Sequence, residues 1–389
     1  MKKQTIAINN PFVRPDAYGA LAVPVYNNVA FEFDDAAVMA DAFCNRIKAP
    51  DYARVENPTV TNFEDRVRAL TGAAHVTAFN SGMAAISNTL LAVAEQQKNI
   101  VSSHHLFGNT LALLTNTLKR FGVEARLRDL TNLEAVADAI DEQTSAVFLE
   151  VVTNPQLEVA DLKAIAEIAH KKGVPVIADS TVIPFTETHL KELGIDIEVV
   201  SSTKYLSGGG TSLGGLVIDY GTFPEINKRV KYDLLFNLGA YMTPQAAYMQ
   251  TLGLETLDVR YQRQAANALW LAQQLSPIVK VNYIGLESNP YHALAQQQFG
   301  KTAGAMLTID LKSKEGCFQF LNRLRLVHRA TNLFDSRTLA IHPASTIFGN
   351  FKEEQLVEMD VRQTTIRLSV GLEAKEDILA DIKQALGER

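Results

Sequence analysis

From about Phe63 to Asp219 the chain repeats one pattern, an amphipathic helical stretch followed by a short apolar run, and this restricts the fold more than any other feature. Short, continuously apolar strands are buried on both faces. Joining them through helices requires crossovers, so the rhythm predicts an α/β fold with a large, mostly parallel sheet covered on both sides. One repeat shows the logic. A helix begins near Asp161 and continues through Ala164 to Lys172, with Leu162, Ile165, Ile168 and Ala169 on one face and Gly173 as its stop. The run Val174-Pro175-Val176-Ile177-Ala178 follows as a strand, and Ala146 to Leu149 and Ile195 to Val200 read the same way.

The pattern does not extend to the ends. Residues 1–50 contain Asn9-Asn10-Pro11, Pro15 and Pro24 without sustained periodicity and read as an arm. Residues 51–240 form the large domain. From Pro244 to Leu275 a long helix rich in Ala and Gln is expected, then strands near Val279 to Ile284 and Ala303 to Leu311. Without the βα rhythm, residues 241–389 suggest a smaller α+β domain. A chain of 389 residues with 47% apolar residues can build a core of that extent.

Charge and cysteine content exclude other classes. A formal net charge of −6 gives no general attraction for nucleic acid or anionic membrane. Cys44 and Cys317 cannot form a disulfide framework; both read as buried small apolar residues in a reduced, cytoplasmic protein. No apolar run reaches the ~18 residues that span a bilayer, and the opening Met1-Lys2-Lys3-Gln4-Thr5 lacks the apolar stretch of a signal peptide. No metal-binding spacing of His or Cys occurs, and neither a dinucleotide glycine fingerprint nor a phosphate loop is present.

Three segments carry chemistry. Val199-Val200-Ser201-Ser202-Thr203-Lys204 puts a lysine just past a buried strand, where desolvation makes its amine a nucleophile for an aldehyde, beside hydroxyls that can hold a phosphate. Gly208-Gly209-Gly210 then permits close approach of backbone to a bound group; alternatively the segment is a plain strand end with a flexible turn. Asp179 closes the strand from Val174, at the edge where open α/β sheets bind ligands, although a capping role would fit it alone. It lies 25 residues before Lys204, one crossover away. Asn80-Ser81-Gly82-Met83-Ala84-Ala85 follows the strand-like Val76 to Phe79 and opens a helix reaching about Gln96, a phosphate site if its amides are free and an ordinary cap otherwise. A nucleophilic lysine, a carboxylate and two phosphate cradles together point to pyridoxal phosphate (PLP), which needs an amine for its aldehyde and an acid partner for its ring nitrogen.

With these residues in place the sequence resembles the Cys/Met-metabolism PLP enzymes of fold type I, from about Pro24 to Leu386. The motifs are Tyr52-Ala53-Arg54, Asn57-Pro58-Thr59, Ser81-Gly82-Met83-Ala84, Ser201-Ser202-Thr203-Lys204-Tyr205, Gly253-Leu254-Glu255-Thr256-Leu257, His342-Pro343-Ala344-Ser345-Thr346 and Arg367-Leu368-Ser369-Val370-Gly371. The resemblance implies that Lys204 bonds the cofactor aldehyde and that Asp179 pairs with the ring nitrogen. It implies that Gly82, Met83, Ser201 and Thr203 hold the phosphate, with Tyr52 and Arg54 reaching the phosphate of a neighbouring subunit. Arg367 would grip the substrate carboxylate, and Asn154 would lie near cofactor and substrate. A homodimer is then the minimum assembly, and a homotetramer is the family's habit.

Departures from the pattern bear on the reaction. Phe107 stands where most members have a tyrosine, so ring stacking survives without the hydroxyl, as in some acyl-homoserine sulfhydrylases. Asn109 replaces the cysteine typical of methionine γ-lyases, and Arg337 replaces a glutamate suited to cystathionine. Gly210 to Gly215 and Ile341 to Thr346 resemble O-acetylhomoserine sulfhydrylases, whereas Gly209 replaces their usual histidine and the stretch from Asp219 to Tyr241 is shorter than theirs. The expectation is a γ-replacement enzyme that joins sulfide or a small thiol to an O-acylhomoserine, with a C–S lyase as the alternative within the family and a catalytically silent binding or regulatory subunit as the alternative outside it.

Overall fold

The computed structural model describes residues 1–9 and 18–387, so Asn10, Pro11 and Pro15 of the expected arm lie outside the described residues. The larger sheet has the order β1-β7-β6-β5-β4-β2-β3. Its strands are β1 (His75–Phe79), β2 (Asn99–Ser103), β3 (Glu124–Arg128), β4 (Thr144–Glu150), β5 (Val176–Asp179), β6 (Ile197–Val200) and β7 (Gly215–Asp219). From β3 to β6 every pairing is parallel, as the helix and strand rhythm predicts. β7 is antiparallel to both neighbours. The reason is local: a parallel return needs a crossover that covers the sheet, and residues 201–214 form only turns.

Alternation along the strands feeds both faces. Val176 and Ala178 of β5 point into one buried apolar cluster and Ile177 into another. The crossover helix runs Leu162–His170, starts with the Asp161 side chain accepting from the Ala164 amide at 3.0 Å, and is followed by Gly173 at φ +69°. β5 begins at Val176, two residues later than its apolar run suggests, because Pro175 has no amide to give the ladder; its carbonyl still accepts from Val147. The helix opened by Gly82 ends at Val93, short of Gln96.

A second sheet, β10-β11-β12-β9-β8, is built from β8 (Lys280–Asn282), β9 (Met306–Asp310), β10 (His328–Arg329), β11 (Leu339–Ile341) and β12 (Thr365–Ser369). Ile309, Ile366 and Leu368 share the cluster that holds Val176, so the two sheets meet in one core. The expected long helix is two, Pro244–Glu255 and Leu257–Leu275. The break falls where the Gly253 carbonyl accepts from Arg260 Nη2 at 2.6 Å. Gly253 also packs so closely that a Cβ there would lie 1.6 Å from the Leu206 carbonyl oxygen.

Two expectations about the arm change. Its first residues form a helix, Lys3–Asn9, with Ala7 buried and its carbonyl accepting from Arg66 Nη1 at 2.9 Å. Cys44 is exposed, because it ends the surface helix Ala36–Phe43 of which only Ala42 is buried; Cys317 is buried as expected. Among the described residues no helix is long and apolar enough to cross a membrane.

Candidate active site

Parallel strands deliver their carboxyl ends to one edge, which is why β4, β5 and β6 bring Glu150, Asp179 and Ser201–Lys204 together. β1 reaches the same edge because two successive antiparallel pairings, β1 to β7 and β7 to β6, restore its direction. The helix Gly82–Val93 therefore opens there. At this edge lies a cavity of about 290 Å³, lined by Gly82, Met83 and Phe107, by Asn154 and Asp179, by Ser201, Thr203 and Lys204, and by Arg367. Nine of the residues singled out in the sequence thus meet.

Tyr52 and Arg54 do not line that cavity. Tyr52 is 40% exposed, and Arg54 lies with its guanidinium 5.4 Å from the Tyr52 ring and donates to the Phe236 carbonyl at 2.5 Å. Tyr52 is exposed and Arg54 half-buried, and neither lines the cavity that holds Lys204.

The phosphate end rests on glycine. A Cβ on Gly82 would fall 2.6 Å from the Ser201 Cβ, and one on Gly215 would fall 2.1 Å from the Ser81 carbonyl oxygen, so only glycine lets the two segments meet. Ser81 Oγ accepts from the Ala84 amide at 3.1 Å. The amides of Gly82 and Met83, ahead of it, have no hydrogen-bond partner among the described residues and carry the partial positive charge of a helix N-terminus. Thr203 is committed elsewhere: its hydroxyl donates to the Gly214 carbonyl at 3.1 Å and accepts from the Gly214 amide at 3.0 Å. The Gly208–Gly210 run serves packing, not the cavity. Ser336 Oγ donates to the Gly208 carbonyl, and a Cβ on Gly210 would meet Asp335 Oδ2 at 2.3 Å.

Charge sets the chemistry. Burial, reinforced by the Arg367 charge and opposed by Asp179, brings the Lys204 amine down to about 8, and its Nζ donates to Asn332 Oδ1 at 3.0 Å. Burial raises Asp179, while bonds from Thr181 and the Lys204 charge resist that rise. Arg367, on β12 and 4% exposed, donates to Asn154 Oδ1 at 3.0 Å and to the Asn332 carbonyl at 3.3 Å. No carboxylate pairs with it among the described residues. A buried guanidinium without a counter-ion is costly, and its cost is relieved when an anion enters.

Three residues here escaped the sequence reading. Glu150 closes β4 as Asp179 closes β5, directly across the pairing, and the same signal, a carboxylate ending an apolar run, could have found it. Burial and the charge of Asp179 push its carboxyl well above the usual range. Asn332 comes from the loop between β10 and β11 and gives no local signal. Phe334, in that loop, holds φ +57° and stacks on Tyr205 at 3.9 Å between centroids, which ties the loop to the residue after Lys204. Arg337 pairs with Asp335 at 2.8 Å and is half-exposed outside the cavity.

An amine of lowered pKa, a buried carboxylate, an aromatic ring and free helix amides fit the aldehyde, ring nitrogen, ring face and phosphate of PLP. Among the described residues no cluster of three metal-ligating side chains occurs. The family model for Cys/Met metabolism PLP-dependent enzymes matches residues 4–387. An L-methionine γ-lyase of Fusobacterium nucleatum is 38% identical, over 95% of this chain and 94% of its own. An O-acetyl-L-homoserine sulfhydrylase of Corynebacterium glutamicum is 33% identical, over 93% and 91%. A Campylobacter jejuni crystal structure, described as an O-acetylhomoserine (thiol)-lyase with N'-pyridoxyl-lysine-5'-monophosphate, superposes with a TM-score of 0.95 at 34% identity and full coverage of both chains.

Proposed function

Because this chain belongs to the Cys/Met metabolism PLP-dependent enzyme family, we propose that it is an O-acylhomoserine sulfhydrylase of the cytoplasm. Sulfur of sulfide or a small thiol bonds to Cγ of the amino acid, the Cγ–O bond breaks, and the acyl group departs as a carboxylate. When bound, PLP supplies an aldehyde for the substrate amine and a ring that accepts negative charge from Cα. Asp179 keeps a proton on the ring nitrogen. Arg367, oriented by Asn154, grips the substrate carboxylate in a fork. The Lys204 amine, half-buried and of lowered pKa, takes the proton from Cα and moves a second at Cβ. Phe107 covers the cavity with an apolar ring.

Phe107 is the observation that carries the choice. A carboxylate departs readily without a proton, whereas a thiolate is more basic and benefits from an acid that phenylalanine cannot provide. Sulfide transfer to O-acetylhomoserine is therefore expected to outrun elimination from methionine or cystathionine, and Phe107→Tyr is expected to raise elimination about 10- to 100-fold. Elimination already faster in the unmodified protein would overturn the choice. A C–S lyase is the second reading, favoured by the 38% identity to the Fusobacterium enzyme.

Tyr52 and Arg54 do not line the cavity of their own chain, which supports a site completed across a homodimer; pairing of such dimers into a homotetramer is part of the same reading. Mixing inactive Arg54→Ala and Lys204→Ala proteins under exchange should restore up to about a quarter of wild-type activity, since random pairing gives half mixed dimers with one intact site each. No recovery after demonstrated exchange would argue for a site made by one chain.

A further inference from the structure

At the end of β4 the buried Glu150 side chain accepts two backbone amides from different segments. Oε1 takes the Phe107 N–H at 2.5 Å, and Oε2 takes the Asn154 N–H at 3.2 Å. Phe107 leads into the short helix Gly108–Ala112 and lines the cavity; Asn154 lies past β4 and holds Arg367 Nη1. One side chain on a strand end thus anchors the residue that covers the cavity and the residue that aims the guanidinium. We infer that Glu150 is a positioning residue: by accepting both amides it fixes Asn154, and through Asn154 it holds Arg367 in the orientation that receives the substrate carboxylate. The inference rests on reading Arg367 as the carboxylate receptor and is independent of which sulfur reaction follows.

Glutamine at 150 keeps the shape but replaces one acceptor oxygen with a donor. The carbonyl stays with the shorter bond to Phe107, and the NH₂ then opposes the Asn154 amide, so the Asn154 side is released alone. Aspartate keeps both acceptors on a stem one methylene shorter.

The test is a titration of the cofactor-loaded protein with glycine, followed by the absorbance of the bound cofactor, with methylamine as a ligand that lacks the carboxylate. Cofactor affinity is measured in parallel. For Glu150→Gln the glycine Kd is expected to rise at least tenfold, with methylamine within twofold and cofactor within threefold of wild type; Glu150→Asp should recover part of the glycine affinity. Unchanged glycine binding, or equal weakening of glycine and methylamine, overturns the inference. If Glu150→Gln does not fold, Glu150→Asp decides alone: a selective loss of glycine affinity supports the assignment, and no change or a matched loss of methylamine overturns it. Arg367→Lys separates the two levels. If it leaves glycine binding intact, the receptor reading and the inference both fail; if it weakens glycine while the Glu150 variants do not, only the inference fails.

Discussion

Lys204→Ala should reduce turnover at saturating substrate by about 10⁴-fold or more, because one substitution removes both the amine that bonds the cofactor and the base that moves substrate protons. Wild-type protein treated with borohydride should retain one cofactor mass per chain after denaturation; the variant should retain none. An equally active Lys204→Ala protein would remove the lysine from the mechanism. The lowered pKa adds a pH signature. With the amine at about 8, roughly one lysine in ten is unprotonated at pH 7, against about one in three thousand at an ordinary 10.5. The sign follows from burial disfavouring the charged form, aided by Arg367. Attachment of PLP to cofactor-free protein should therefore accelerate about tenfold per pH unit below pH 8 and level off above it. A rate still climbing steeply at pH 10 would show that the amine is not desolvated as described.

Arg367→Ala should lower kcat/KM for the amino acid substrate by roughly 10²- to 10³-fold, the scale of losing one half of a buried, hydrogen-bonded charge pair at about 3–4 kcal/mol. Most of the loss should appear in KM. The decarboxylated amine should react poorly with both proteins and about equally, since it offers nothing to the guanidinium. Arg367→Lys should recover little, because a point charge does not reproduce the fork and cannot hold Asn154 Oδ1 and the Asn332 carbonyl together. Folding stability should rise slightly in the alanine variant or stay unchanged, because an uncompensated buried charge has been removed. A variant with full activity toward the amino acid but reduced stability would assign Arg367 to architecture.

Much of this arrangement is legible in the chain because the signals are local. The crossover helix from Asp161 and the strand after it follow from periodicity and capping, and Asp179 and Lys204 fall at strand ends that the same periodicity defines. Parallel connections then oblige those ends to share an edge. The readings that changed depend on contacts distant in sequence. β7 turns antiparallel because residues 201–214 lack a helix. The Pro244–Leu275 stretch breaks where Gly253 is pressed against Leu206 and Arg260 claims its carbonyl. Gly208–Gly210 reads in sequence either as a close approach to a bound group or as a flexible turn, and its glycines let the loop carrying Asp335 and Ser336 pack closely.

By itself the sequence determined the helix and strand rhythm of the large sheet, the family and the strand-end position of its lysine and aspartate, since each rests on spacing within a few dozen residues or on a contiguous motif. Only the tertiary structure decided what surrounds them. Asn332 meets Lys204 across 128 residues and Arg367 meets Asn154 across 213. Glu150 gains its importance because the Phe107 amide reaches it across 43 residues while the nearby Asn154 amide takes its other oxygen. The physical reason is that charge, burial and hydrogen-bond partnership belong to the environment of a side chain, and that environment exists only once distant segments have packed.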